Sequence, residues 1–167
     1  GPPSEEGTYK VKVEVDENNY QGTAFGDLTI QKIVGALTLD NLSQTYDGTR
    51  KSVRVITVPD GIEHTVKYDG SDILPTDAGT YNVTAVFNNP RYKGSATGVL
   101  VVKKREAQIT IENLTQDYSG ESKMVKVTTV PTSLKYIVTY DDESAPPKTY
   151  GSYSVKVKIN DSNHYGE

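Results

Sequence analysis

The stretch PTDAGTYNVTAVF, residues 75–87, decides the fold. From Tyr81 onward Tyr81, Val83, Ala85 and Phe87 fall on one side of the chain, and Asn82 and Thr84 on the other. A period of two is the signature of a half-buried β-strand. The Gly-Thr-Tyr entrance recurs as Gly7-Thr8-Tyr9 and as Gly151-Ser152-Tyr153, 72 residues apart each time. Alternation follows each copy. Tyr9, Val11, Val13 and Val15 oppose Lys10, Lys12 and Glu14; Tyr153, Val155, Val157 and Ile159 oppose Ser154, Lys156 and Lys158.

A fixed period of this length defines a repeat array. The same offset joins Tyr20 to Tyr92, Tyr46 to Tyr118, Pro59 to Pro131, Tyr68 to Tyr140, and Asn41-Leu42 to Asn113-Leu114. It also joins Leu28 and Ile30 to Leu100 and Val102. Near the end Tyr92 is expected to match Tyr165 at a spacing of 73, which implies one added residue. Residues 1–33 then form the C-terminal part of a repeat and 34–104 a complete one. Residues 105–167 form a repeat lacking its last strand, the counterpart of 98–103. The opening Gly1-Pro2 reads as a protease scar, so the chain is expected to be a piece of a longer one.

Further strands are expected at 36–42, 51–58, 64–69 and 98–103, with turns at 46–49, 59–61, 68–71 and 88–94, where Gly, Asp, Asn and Pro cluster. No segment has a helical period. Five short strands in about 72 residues predict an all-β fold of tandem small immunoglobulin-like β-sandwich repeats. A β-grasp repeat is the alternative, and the absent helix speaks against it. Tyr81 stands two residues before Val83, the spacing of a tyrosine corner, in which the hydroxyl turns back to the backbone. Val83 takes the place of the cysteine and keeps the apolar contact.

Composition bounds the function. With no Cys, disulfides, thiolate chemistry and zinc–cysteine sites are excluded. A net charge of -4 disfavours nucleic acid, which selects basic surfaces. A mean hydropathy of -0.55 suits small domains with thin cores.

The segments QTYDGT (44–49), VITVPDGIEHTVKYDGS (55–71) and PTDAGTYNVTAVFNNPRYKGSATGVLVVKK (75–104) together resemble the YDG/MBG-type repeats of large bacterial surface and secreted proteins. The third copy is looser, with Tyr118-Ser119-Gly120 for Tyr-Asp-Gly. The resemblance implies tandem display at the bacterial cell surface or outside the cell, as part of a stalk or adhesin, and brings no catalytic residues.

The candidate sites each face a plainer account. Of the 12 Tyr, those at 9/81/153, 20/92/165, 46/118 and 68/140 recur with the repeat, which points to structural placement. Tyr136 and Tyr150 are unique to the third copy and are the candidates for stacking on glycan. Val86, Val99 and Val101 stand where the other copies carry polar residues, and mark a contact strip for a ligand or for a neighbouring repeat. DENN (16–19) and NDSN (160–163) offer oxygens, but without calcium-loop spacing they read as solvated turns. His64 and His164 do not match across the repeat, and neither has a Ser or Asp partner at a recognisable triad spacing, so no enzyme is expected, and no metal or cofactor. A Lys–Asn crosslink needs a buried Lys, whereas Lys10, Lys12, Lys156 and Lys158 fall on polar faces.

The expected role is that of a non-catalytic stalk or spacer whose partners are its neighbouring repeats, joined by short linkers such as KKREA (103–107). The rival is a module that holds glycan or a host surface protein weakly per copy and strongly in series. Head-to-tail self-association is expected too, with the N-terminal strands of one chain completing the C-terminal repeat of another.

Overall fold

The computed structural model describes every residue, Gly1–Glu167. It is all strand, turn and irregular chain, with no helix. The first unit is an antiparallel hairpin of β1 (Gly7–Glu17) and β2 (Tyr20–Ile30), in register from Gly7 opposite Ile30 to Glu17 opposite Tyr20. A hairpin has no second layer, so Val11, Val13, Val15, Phe25 and Leu28 stay exposed. The short β3 (Ile33–Val34) follows.

The middle unit holds β4 (Ala36–Asp40), β5 (Ser43–Thr45), β6 (Arg54–Val58), β7 (His64–Tyr68), β8 (Gly79–Phe87), β9 (Tyr92–Lys93) and β10 (Ser95–Lys103). One sheet runs β5-β10-β8-β7; β4 and β6 form a separate antiparallel pair. Tyr68, Val83, Leu100 and Val102 fill the interior, with Leu39, Tyr46, Val53, Val66, Leu74 and Tyr81 packed on them. Leu39 lies on β4, so the pair covers the larger sheet. The alternation of residues 81–87 is realised: Val83 and Ala85 are buried, and Asn82 and Thr84 are exposed. Burying a side chain such as Leu100 completely contributes about 1.5–3 kcal/mol.

The strand expected over 36–42 breaks at Asn41, whose φ of 61° turns the chain so that β5 can begin. The sequence reading missed β5, because Ser43-Gln44-Thr45 carries no apolar alternation. Its strand character is tertiary. It pairs in parallel with β10, and Val101 N–H donates to Leu42 O while Tyr46 N–H donates to Lys103 O. Gln44 pins the segment from behind, donating through Nε2 to Asn41 O and Ser52 O.

The last unit repeats the plan with β11 (Arg105–Glu106), β12 (Gln108–Glu112), β13 (Lys126–Val130), β14 (Tyr136–Tyr140), β15 (Val155–Ile159) and β16 (His164–Tyr165). One expectation is corrected here. β3 pairs with β9 through Ile33 opposite Tyr92, and β11 with β16 through Arg105 opposite His164. Both members shift by 72, so no residue is added. His164 stands where Tyr92 does, and Tyr165 corresponds to Lys93. Matching aromatic to aromatic misled the alignment; backbone pairing sets the register.

Size is balanced across these copies. Gly35 has no room for a side chain, because a Cβ there would lie 2.7 Å from Phe87 Cε2. In the last unit the counterparts are the buried pair Ala107 and Ile159. A larger residue at one place accompanies a smaller one at the other.

Candidate functional site

The recurring Gly-x-Tyr is a tyrosine corner in each unit. Tyr81 Oη donates to Asp77 O at 2.9 Å, Tyr9 Oη to Glu5 O at 2.9 Å, and Tyr153 Oη to Thr149 O at 3.2 Å. The acceptor is a backbone carbonyl, which explains why Asp77 need not recur as Asp. Burial, aided by the Asp77 and Asp69 charges, pushes the Tyr81 hydroxyl pKa upward. Tyr68 and Tyr140 serve differently: their hydroxyls accept the amides of Val53 at 3.0 Å and Val125 at 3.1 Å. These tyrosines hold backbone in place.

The Tyr-Asp-Gly phrase at 46–48 builds a loop around one buried lysine. Asp47 Oδ1 accepts from Thr49 N at 2.8 Å and from Thr49 Oγ1 at 2.6 Å, and pairs with Lys51 Nζ at 2.6 Å. Gly48 sits at φ 82°, the left-handed region that glycine enters without steric cost. Lys51 is buried, and the sequence reading did not single it out. Its hydrogen bond holds the Asp47 carboxyl well below the usual carboxylate range, so the two form an ion pair. Lys10, Lys12 and Lys156 make exposed ion pairs with Asp27, Glu14 and Asp142.

The same corner loop makes the joint to the next unit. Ala78 N–H donates to Asn163 Oδ1 at 2.8 Å, and Asn163 Nδ2 donates to Asp77 Oδ1 at 2.9 Å. Tyr46 meets His164 edge-on with ring centroids 5.3 Å apart. Lys104 Nζ reaches Asp161 O at 2.7 Å. Asp161 Oδ1 organises the loop by accepting from the Asn163 and His164 amides, and meets His164 Nδ1 at 2.8 Å. These hydrogen bonds, the His164 side chain first, lower the Asp161 pKa. The NDSN segment read as an oxygen-rich turn is this loop, and Asp161 Oδ1 and O and Asn163 Oδ1 are engaged by protein donors. At the preceding joint Lys32 Nζ likewise reaches Asn89 O, at 3.4 Å. Glu5, Glu6 and Arg91, the counterparts of Asp77, Ala78 and Asn163, line a cleft of about 350 Å³ there.

A second feature is an open groove of about 590 Å³ in the last unit, walled by residues 113–118 on one side and 147–155 on the other, with Val125 and Tyr140 between. Tyr150 lies on it, 86% exposed, edge-on to Tyr118 with centroids 6.2 Å apart. Tyr136 is elsewhere, on β14 opposite Ile159. Val99 and Val101 share the outer face of β10, while Val86 sits beside Thr65 and Ser95, beyond Thr84 and Thr97. The three valines are each exposed, with polar residues interrupting the strip. His64 Nδ1 lies 3.0 Å from Ile62 O, far in sequence and role from His164.

The MBG domain family matches residues 1–34, 35–106 and 107–167, and so tiles the whole chain. The chain belongs to the MBG domain family. MBG domains are repeat domains of surface-type proteins and are not known as enzymes. No curated protein and no solved structure matches the chain. Sequence reading found the corners of these MBG units and missed their joint. The usable signal was that Asp77-Ala78 and Asn163 sit in matching loops of successive copies; what it lacked was their proximity.

Proposed function

We propose that these MBG units are non-catalytic spacers of a bacterial cell-surface or secreted adhesin-like protein, and that they hold neighbouring domains at a set distance and angle. The observation that carries this reading is the joint between the middle and last units. A flexible tether would leave the linker solvated. Here Lys104 and the short β11 are tied to the following loop, and Asn163 hydrogen-bonds side chain and backbone of the preceding corner. Tyr46 and His164 pack edge-on in the same joint. Such a joint transmits orientation from one unit to the next, as in other quasi-linear repeat proteins.

A second reading has one observation behind it. The exposed Tyr118–Tyr150 pair on the groove offers aromatic surface for a glycan or a host surface protein. Residual dipolar couplings on the intact chain separate the two. The spacer reading expects one alignment tensor to fit amides of the middle and last units, and an Asn163→Ala chain to need two. Independent tensors in the unaltered chain would overturn it. Saturable binding to mucin or a glycan panel, lost in Tyr150→Ala, would establish the binding module.

A further inference from the structure

The corner between β4 and β5 carries two side chains that the fold does not use. In the segment Asn41-Leu42-Ser43-Gln44, Leu42 packs over Gly98 of β10, and Gln44 ties Asn41 O to Ser52 O. The Asn41 main chain is engaged as well: its amide donates to Asp40 Oδ1 at 2.7 Å and its carbonyl accepts from Gln44. The Asn41 carboxamide and the Ser43 hydroxyl have no hydrogen-bond partner in the protein, and both residues are exposed. The φ of 61° at Asn41 would be met equally by Gly or Asp. Yet the same pair returns 72 residues later as Asn113, at φ 65°, and Thr115, again with carboxamide and hydroxyl free. Packing and hydrogen bonding explain the Leu and Gln of this segment. They do not explain an Asn with a hydroxyl two residues on.

Asn-x-Ser/Thr is the acceptor pattern for N-linked sugar. It occurs at 41–43, 82–84, 113–115 and 160–162, and the structure divides these four. Asn82 lies within β8, where its Nδ2 donates to Asp69 Oδ1 at 2.9 Å, and Thr84 is paired on both sides, with Lys67 and Thr97. Asn160–Ser162 leads into the joint. The Asn160 amide donates to Lys135 O, and Asp161 is bonded through Oδ1 to the Asn163 and His164 amides and through its carbonyl to Lys104. Asn41 instead stands at a turn, and Ser43 follows it on β5, the edge strand of its sheet.

We infer that Asn41 and Asn113 are acceptor sites for N-linked sugar, and that Asn82 and Asn160 are not. This goes beyond the spacer reading and does not depend on it. The donor is a sugar activated as a diphosphate ester. The Asn Nδ2 attacks the anomeric carbon, and a C–N bond forms as the bond from that carbon to the phosphate oxygen breaks. The diphosphate leaves with the electron pair, and the transferase accepts the proton displaced from Nδ2. A carboxamide nitrogen is a poor nucleophile, because its lone pair is shared with the carbonyl. The transferase must therefore grip the carboxamide and the hydroxyl itself, which requires both to be free of the protein. Asn41 and Ser43 meet that requirement in the complete unit, and Asn82 does not.

The test has two arms, each read by intact mass and peptide mapping: the parent protein isolated from its own cells, and the whole folded chain treated with a soluble Asn-x-Ser/Thr transferase and UDP-glucose. Sugar should appear on the Asn41 and Asn113 peptides in both. On the cell-derived protein a single hexose identifies a nucleotide-sugar donor and an oligosaccharide a lipid-linked one. In the treated chain Asn41→Gln and Ser43→Ala should each lose one hexose, as should Asn113→Gln and Thr115→Ala. Ser43→Ala keeps Asn41 and its turn, so a loss there reports recognition rather than misfolding. Bare Asn41 and Asn113 peptides in either arm overturn the inference. So does labelling of Asn82 as readily as Asn41 in the folded chain, or retention of the Asn41 sugar in Ser43→Ala.

Discussion

The Gly35–Phe87 contact offers a sharp test of how these units are packed. In Gly35→Ala the new methyl would sit 2.7 Å from Phe87 Cε2, 3.0 Å from Cζ and 3.0 Å from Val58 O. Carbon pairs rest at about 3.5–4.0 Å, so the ring must retreat by about 1 Å. Overpacking of this kind costs about 1–3 kcal/mol. The last unit shows the remedy, since Ala107 is accommodated there beside Ile159. Phe87→Ile alone should cost on the order of 1 kcal/mol by opening space. The double variant should lose less than the sum of the two by about 1 kcal/mol or more, a coupling of the size seen for residues in contact. The assay is urea unfolding of the whole chain, following the transition that Phe87→Ile shifts, with its slope unchanged. Strict additivity would refute the account, because the two copies would then not be alternative solutions to one packing problem.

Two further outcomes follow from the hydrogen bonds. Tyr68→Phe strands a part-buried Val53 amide, which should cost about 1–3 kcal/mol, whereas Tyr81→Phe frees a carbonyl near solvent and should cost about 0.5–1.5 kcal/mol; equal losses in urea unfolding would contradict this assignment of roles. The Asp161 pKa is lowered in the folded chain, so its contribution is complete above the ordinary carboxylate range and is lost as pH falls through the lowered value. Protection of the Asn163 and His164 amides, taken relative to the intrinsic exchange rate at each pH, should fall in that acid window, and Asp161→Asn should flatten the dependence; an unaltered acid profile in Asp161→Asn would show that another group is responsible.

Much of this chain was legible in its sequence because the deciding physics is local. Alternation over Tyr81–Phe87 records which side chains are buried, and a Tyr two residues before a core Val is enough to specify a corner whose acceptor lies four residues upstream. The 72-residue period is likewise visible without coordinates. What stayed hidden depends on atoms brought together from distant positions. Ser43-Gln44-Thr45 is a strand only because β10 lies beside it. Lys51 is buried only because the Asp47 loop folds over it and neutralises it. The register at His164 was set by main-chain pairing with Arg105, which residue type does not encode. The joint needs Asp77 and Asn163 in contact across 86 residues of chain, and that separation is bridged by packing alone.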